Sequence, residues 1–373
     1  MKNGWVTKKL GEVCEINYGT RVRRKDSRSD DYPVYGGGGE TFRWETFNRE
    51  DQCVVSRFAM SPECVRFVSG KFFLNDSGLT VDTASDGLWQ NYLDWCLFGK
   101  QDVIYALGKG SAQKNLDMRE FVNIPIPIPP LAEQKRIVAK IDAAFEKIYA
   151  LKANAEKNLA NAKELFQSAL DEAMRPKPGW VEKRLGEVCE GKLSYGTSSP
   201  SKEYDARVRY IRITDIDDNG RLLNDLVSPK EYESKHVLED GDLVFARTGA
   251  TVGKSYMYSP SDGACVYAGY LIRARVDQSI IRPKYLFYFT KTSRYKLFIQ
   301  LSQAAAAQPN VNAEKYGNML VPIPPVHEQD EIVSCIGKTQ GLILQLQQNY
   351  SQQIADCAEM RQAILREAFE GSL

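Results

Sequence analysis

The sequence predicts an α+β protein with a pseudo-two-fold internal repeat: two strand-rich mixed globular domains joined by two long helices that form an antiparallel coiled coil. Three observations lead there. A proline-rich run followed at once by a helical pattern occurs twice, as IPIPIPPLAEQKRIV over 124–138 and VPIPPVHEQDEIV over 321–333. The segment GWVTKKLGEVCE at 4–15 returns as GWVEKRLGEVCE at 179–190, identical at ten of twelve positions. The offset between copies grows from 175 at these starts to 195 at Asn115 and Asn310 and then stays fixed, so each half has a constant start, a variable middle and a constant end. Internal repetition of this kind is the first thing to seek in a chain of 373 residues, too long for one ordinary core.

Each element can be justified in turn. The opening MKNGWVTKKLGE has no apolar core or cleavage pattern, and no run of 18 apolar residues exists, so neither secretion nor a membrane span is expected. Eight cysteines without a C-x-x-C pair, and only two histidines, His236 and His327, suggest buried free thiols in a reducing, cytoplasmic setting and no metal cluster. The net charge of +1 rules out a partner chosen by bulk charge, so any nucleic-acid surface must be local.

In the first middle, a glycine run (YGGGGETFRW) precedes the strand-like CVVSRF and CVRFVSGKFFL, and 89–106 reads as helical. In the second, strands are expected at 207–214, 242–247 and 266–276, and a helix at 283–301. Arg207, Arg209 and Arg212 alternate with apolar residues and suggest an exposed sheet face, whereas Trp89, Trp95 and Tyr288 suit the core.

Proline fixes φ and lacks a donor, so Pro127–Pro130 and Pro322–Pro325 form stiff extended elbows, and each feeds a helix whose first turn carries Glu133 or Glu328. From Ile141 the apolar positions run Ile148, Leu151, Ala155, Ala162, Leu165 and Ala169, in steps of 7, 3, 4, 7, 3 and 4. The second copy repeats them at Ile336, Ile343, Leu346, Tyr350, Cys357, Met360 and Ile364, which is a heptad seam. A helix of about 40 residues spans about 60 Å, too long a seam for one small domain to bury, so the economical partner for each is the other. The expected segments are a first domain at 1–125, an elbow and helix at 126–175, a second domain at 176–320 and an elbow and helix at 321–373.

These parts, in this order, resemble the specificity subunit of type I restriction-modification systems. The resemblance rests on the two elbows (Ile126–Gln134 and Val321–Gln329), the Trp-x-x-x-x-Leu-Gly-Glu-Val starts at Trp5 and Trp180, and an Ala-Gln-x-Asn segment before each elbow. It covers essentially the whole chain; the second elbow departs mildly, with Val321 and Val326 at apolar positions. The resemblance implies a non-catalytic prokaryotic subunit binding double-stranded DNA, with each variable middle reading one half of a bipartite target. Because the middles are unlike, the target is expected to be asymmetric. It further implies that the helices set the spacing and dock two methyltransferase subunits, in part through Glu133, Gln134, Glu328 and Gln329. S-adenosylmethionine, ATP and Mg would then reside on the methyltransferase and motor/endonuclease subunits.

Candidates for DNA contact are the polar and cationic loops, since phosphates attract Lys and Arg and base edges suit Arg, Asn and Gln. In the first half these are Tyr18, Thr20, Arg21, Arg23, Arg24 and Lys25, with Lys109, Ser111, Gln113, Lys114 and Asn115. In the second they are Tyr195, Thr197, Ser198, Lys202, Arg247, Thr248, Lys254, Gln308 and Asn310. An enzymatic reading finds little: Gly249–Ser255 falls one residue short of a phosphate-binding loop, and no adenine-methyltransferase motif is present. The competing reading is a coiled-coil interaction adaptor without DNA recognition; a self-contained nuclease is a third.

Overall fold

The computed structural model describes residues 4–111, 113–303 and 310–373. The chain divides into two compact units, Met1–Glu156 with Ser351–Leu373, and Lys157–Tyr350. The division cuts across the elbow-and-helix segments drawn from the repeat, because both long helices, Leu131–Ala173 and Val326–Glu370, contribute to both units.

The first unit is built on a six-stranded sheet. Its strands lie in the order Cys14–Tyr18, Gly78–Thr83, Arg49–Ser56, Val65–Leu74, Tyr32–Tyr35 and Glu40–Trp44. All neighbours are antiparallel except Val65–Leu74 with Tyr32–Tyr35. Side chains alternate across a strand, so Cys53 and Val55 enter a large core with Leu79, Leu93 and Phe121 on one face. Val54 enters a smaller cluster with Val68, Phe72 and Leu74 on the other. Burial on both faces explains why CVVSRF reads as a continuous apolar run.

The second unit repeats the inner part of this topology with unrelated residues. Ser194–Tyr195, Leu271–Ala274, Leu243–Ala246 and Ser255–Met257 are neighbours in that order, all antiparallel, matching the first four strands of the other sheet. Leu243 and Phe245 face one cluster and Val244 and Ala246 another. Outside the shared part, Arg209–Ile211 pairs in parallel with Cys265–Tyr267. The exposed sheet face expected for Arg207, Arg209 and Arg212 is corrected for the last two, while Arg207 is exposed but precedes the strand. Arg209 is 9% exposed and donates to Leu223 O, and Arg212 grips Asp215 and Asp225.

The proline elbows are strands as well. Pro125–Ile128 pairs antiparallel with Val6–Lys9, and Leu320–Ile323 pairs with Val181–Arg184, so in each half the constant start is joined to the constant end. Leu10 N donates to Ile124 O and Leu185 N to Met319 O. Antiparallel ladders alternate bonded and non-bonded pairs. Counting from those bonds, Pro125, Pro127 and Pro322 fall at non-bonded pairs, where no donor is missed.

The expected helices form, each broken once: Gln90–Gly99 and Gln101–Ala106, then Pro283–Phe289 and Ser293–Gln303. In each unit the end of the other repeat's long helix completes the core. Leu365 and Ala368 join the first cluster, and Leu170 and Met174 the second. Asp171 accepts from Ser293 N and Oγ, both at 2.7 Å, placing a carboxylate at the N-terminus of Ser293–Gln303. The heptad positions are only partly buried, and Ile141 and Ile336 belong to the two globular cores. Ile141, Ile148, Ala155, Ala162, Ile336, Ile343 and Cys357 are buried, but Leu151, Leu165, Leu346 and Met360 are 39–59% exposed. Among the described residues no helix is long and apolar enough to cross a membrane.

Candidate nucleic-acid interface

Each unit carries a Tyr-Gly-Thr turn where its first sheet strand ends. The glycine is obligatory, because a Cβ on Gly19 would run into Asn75 O and one on Gly196 into Tyr267 O. With that close approach, Thr20 N reaches Leu74 O at 2.9 Å and Thr197 N reaches Tyr267 O at 3.0 Å. The tyrosines are left half out of the protein, Tyr18 at 47% and Tyr195 at 41% exposure.

An arginine lies on each tyrosine. The Arg57 guanidinium is 4.7 Å from the Tyr18 ring and 4.6 Å from that of Phe58. Arg247 lies 4.9 Å from Tyr195 and 5.9 Å from Tyr270. Both arginines directly follow the central sheet strand of their unit, Arg49–Ser56 or Leu243–Ala246. A polar loop is tied to each: Leu116 N donates to Arg57 O at 2.8 Å and Val311 N to Arg247 O at 2.9 Å. Asn115 and Asn310, both exposed, precede those donors. The glycine run belongs to this region in the first unit, since a Cβ on Gly37 would strike Phe58 O. Sequence reading singled out Arg247 but missed Arg57; setting CVVSRF against DLVFAR as equivalent strands would have found it.

The structure thus brings Tyr18, Thr20 and the loop carrying Ser111, Gln113, Lys114 and Asn115 together around Arg57. It brings Tyr195, Thr197, Thr248 and Asn310 together around Arg247, with Ser198 exposed next in the chain and Thr248 bridged to Asn310. Gln308 lies outside the described residues. Arg21, Arg23, Arg24 and Lys25 are exposed around the short helix Arg24–Asp26, and none of their side chains forms an ion pair with a described residue.

Other candidates have partners within the chain, though Lys109 and Lys202 stay exposed. Lys109 pairs with Asp117, and Lys202 with Asp205 at 2.9 Å. Lys114 Nζ sits 4.0 Å from the Tyr105 ring, and Thr197 Oγ1 accepts from Ser199 N. Lys254 pairs with Asp218 at 2.9 Å and donates to Ile216 O at 3.2 Å. The near-match to a phosphate loop therefore leads into a strand, Ser255–Met257, with its lysine turned to the protein. A 560 Å³ cavity beside it is lined by Phe166, Lys254, Phe287, Lys291 and Gln340. Burial lowers the Lys291 pKa to about 8, and its Nζ donates to Ser255 O at 3.3 Å. Gln340 occupies the repeat position of Phe145, which fills the first core, so this space marks where the two repeats diverged. Among the described residues no group of three His, Cys, Asp or Glu is placed to hold a metal ion.

The elbow residues need a correction. Gln134 and Gln329, expected on a docking surface, are fully buried. Gln134 accepts from Trp89 N and donates to Gly87 O and Pro129 O, all at 2.8 Å. Gln329 accepts from Arg282 N at 2.7 Å and donates to Ile280 O and Pro324 O at 2.9 Å. An amide at this spot clamps the elbow to the adjoining helix because it alone supplies an acceptor and two donors. Glu133 binds Arg136 at 2.7 Å and Glu328 accepts from Trp180 Nε1 at 2.8 Å; both remain partly exposed.

Comparison with known proteins agrees with this duplicated layout. The family model for the type I restriction modification DNA specificity domain matches twice, over residues 2–161 and 177–355. The type I restriction enzyme EcoKI specificity subunit of Escherichia coli K12 is 28% identical over 294 residues, covering 73% of this chain and 63% of that protein. The StySPI specificity subunit of Salmonella potsdam is 23% identical over 291 residues, with the same coverage of each. The chain thus spans under two thirds of the length of these two relatives. Among solved structures, a chain from work on complex assembly and conformational transition of the type I R-M system superposes with a TM-score of 0.80 at 21% identity, covering 100% of this chain and 99% of that one. The HsdS subunit from Thermoanaerobacter tengcongensis gives 0.60 at 21% identity, covering 100% and 98%. Those two likenesses establish a shared fold; with both repeats matched by the family model, the chain belongs to the type I restriction-modification DNA specificity family.

Proposed function

We propose that the chain is the DNA-reading subunit of a type I restriction-modification complex, each unit recognising one half of a bipartite, asymmetric double-stranded target. The observation that carries this reading is the paired site. Two middles of unlike sequence present the same Tyr-Gly-Thr turn, with an arginine on the tyrosine and a polar loop bonded behind it. Arg21, Arg23, Arg24 and Lys25 beside the first site suit phosphates, whose contacts position a protein without carrying sequence information.

The two long helices, in this proposal, form an antiparallel coiled coil that sets the spacing between half-sites. Their exposed apolar positions Leu151, Leu165, Leu346 and Met360 support docking of two methyltransferase subunits there. Adenine methylation with S-adenosylmethionine, and ATP- and Mg-dependent cleavage, belong to the methyltransferase and motor/endonuclease partners. The chain itself is non-catalytic and acts in the prokaryotic cytoplasm.

Co-expression with the methyltransferase subunits, followed by sequencing of methylated adenines, tests this. A bipartite asymmetric motif is expected, and exchanging residues 1–120 for those of another specificity subunit should change one half only. A complex that forms but methylates without sequence preference refutes recognition. Failure to form any complex refutes docking and leaves the coiled-coil adaptor.

A further inference from the structure

We infer that Arg57 and Arg247 are the paired base-reading residues of the two units, each held on aromatic rings so that its guanidinium meets the O6 and N7 acceptors of a guanine in its own half-site. This rests on the DNA-reading function proposed above and adds the residue and the base.

Both backbones are fixed. Arg57 N donates to Ser77 O at 2.8 Å and Arg247 N to Tyr270 O at 3.1 Å, while both carbonyls accept from the polar loop. The residues donating to those carbonyls, Leu116 and Val311, are separated by the 195-residue repeat offset, so the two arginines occupy one structural position. Their second rings come from different places: Phe58 is the next residue in the chain, whereas Tyr270 lies in the turn before Leu271–Ala274. Two local solutions therefore reach the same end, an arginine flanked by aromatic rings.

Neither guanidinium has a hydrogen bond or ion pair with a described residue, and Arg247 Nε is buried without an acceptor. Some other arginines are partnered, Arg212 and Arg275 by Asp215 and Asp242 and Arg49 by Thr80 and Asn48. Arg361 also lies on rings, of Phe98, Phe145 and Tyr149, with its Nε unpaired, but Phe166 holds its repeat position, so that arrangement is not duplicated as the Arg57 and Arg247 one is. Stacking on a ring occupies the face of the guanidinium and leaves its in-plane N–H groups free. A rigid fork whose donors meet no acceptor among the described residues, beside tyrosines more than 40% exposed, suits a fixed bidentate acceptor pair better than a phosphate. Guanine offers that pair in the major groove, and arginine to guanine is the commonest specific contact there.

The test uses the full chain assembled with its methyltransferase subunits, comparing the wild type with Arg57→Lys, Arg57→Gln, Arg247→Lys and Arg247→Gln by sequencing methylated adenines. The Arg57 variants should lose preference at one G·C pair in one half-site by about 10- to 100-fold, and the Arg247 variants at one pair in the other. The untouched half-site, still read normally, reports that each variant is folded. Lysine keeps the charge but not the fork, so lysine variants that read the wild-type motif at the wild-type rate overturn the inference, as does equal loss in both halves. A wild-type complex with no bipartite motif removes the DNA-reading function itself, and this inference with it.

Discussion

Asp94 lies in the first core at 8% exposure, its Oδ1 accepting from Gln90 Nε2 at 2.8 Å. Burial raises its pKa from 3.8 to about 7, against the lowering effect of the Gln90 bond and with a smaller rise from Asp82. The native state thus binds the proton more tightly than the unfolded chain, and stability falls as pH rises from about 4 to about 7. Asp94→Asn keeps an acceptor and removes the ionisation. It should match the wild type in chemical denaturation near pH 4 and exceed it by up to about 4 kcal/mol at pH 8; a gap equal at both pH values would refute the assignment. Gln134→Ala should cost about 3 kcal/mol by leaving Trp89 N, Gly87 O and Pro129 O without their partner, and Gln134→Glu should cost more by setting an anion against two carbonyls. Thermal and urea unfolding of the full chain measure both. At this scale the sequence showed residue types and spacings well, so Tyr18, Tyr195 and Arg247 could be picked out. It could not show that Asp117, Asp205 and Asp218 engage Lys109, Lys202 and Lys254, because ion pairs depend on how turns fold back.

The elbow shows how an element can be half legible. Proline chemistry announces an extended segment, and the structure has one, but pairing with Val6–Lys9 or Val181–Arg184 needs knowledge of which distant strand lies alongside. The alternation Pro-Ile-Pro-Ile held the clue, since it leaves a donor at every second residue only. Pro127→Ala should therefore be nearly neutral, within about 1 kcal/mol. Ile126→Pro, which removes a buried side chain and a ladder donor, should cost about 3 kcal/mol or more. Equal effects in urea titrations would mean the register is misassigned. The strands CVVSRF and DLVFAR were legible because burial on both faces gives continuous apolar runs. Their neighbour order was not, since it is a long-range property. The long helices were clear from heptad spacing, but spacing alone does not distinguish a position packed in a seam from an apolar position left on the surface.

That distinction matters for the molecule as a whole. Leu165 and Leu346, 59% and 39% exposed in the second unit, contribute little to the isolated chain. Leu165→Asp and Leu346→Asp should leave its melting temperature almost unchanged, yet weaken capture of the methyltransferase subunits at least tenfold in a titration. A stability loss as large as the binding loss would assign these leucines to the fold instead. The division of the chain has a further consequence for how the protein is made. The first core includes Leu365 and Ala368, with Phe369 packed on Tyr92 at 5.7 Å. Ribosomes must finish all of Lys157–Tyr350 before those residues emerge, a delay of about 10–40 s at typical elongation rates. Throughout that interval the nascent first unit has an open apolar cleft. It is the part of the newborn chain for which chaperones would have the most to hold, while the second unit, begun later, has all its pieces first.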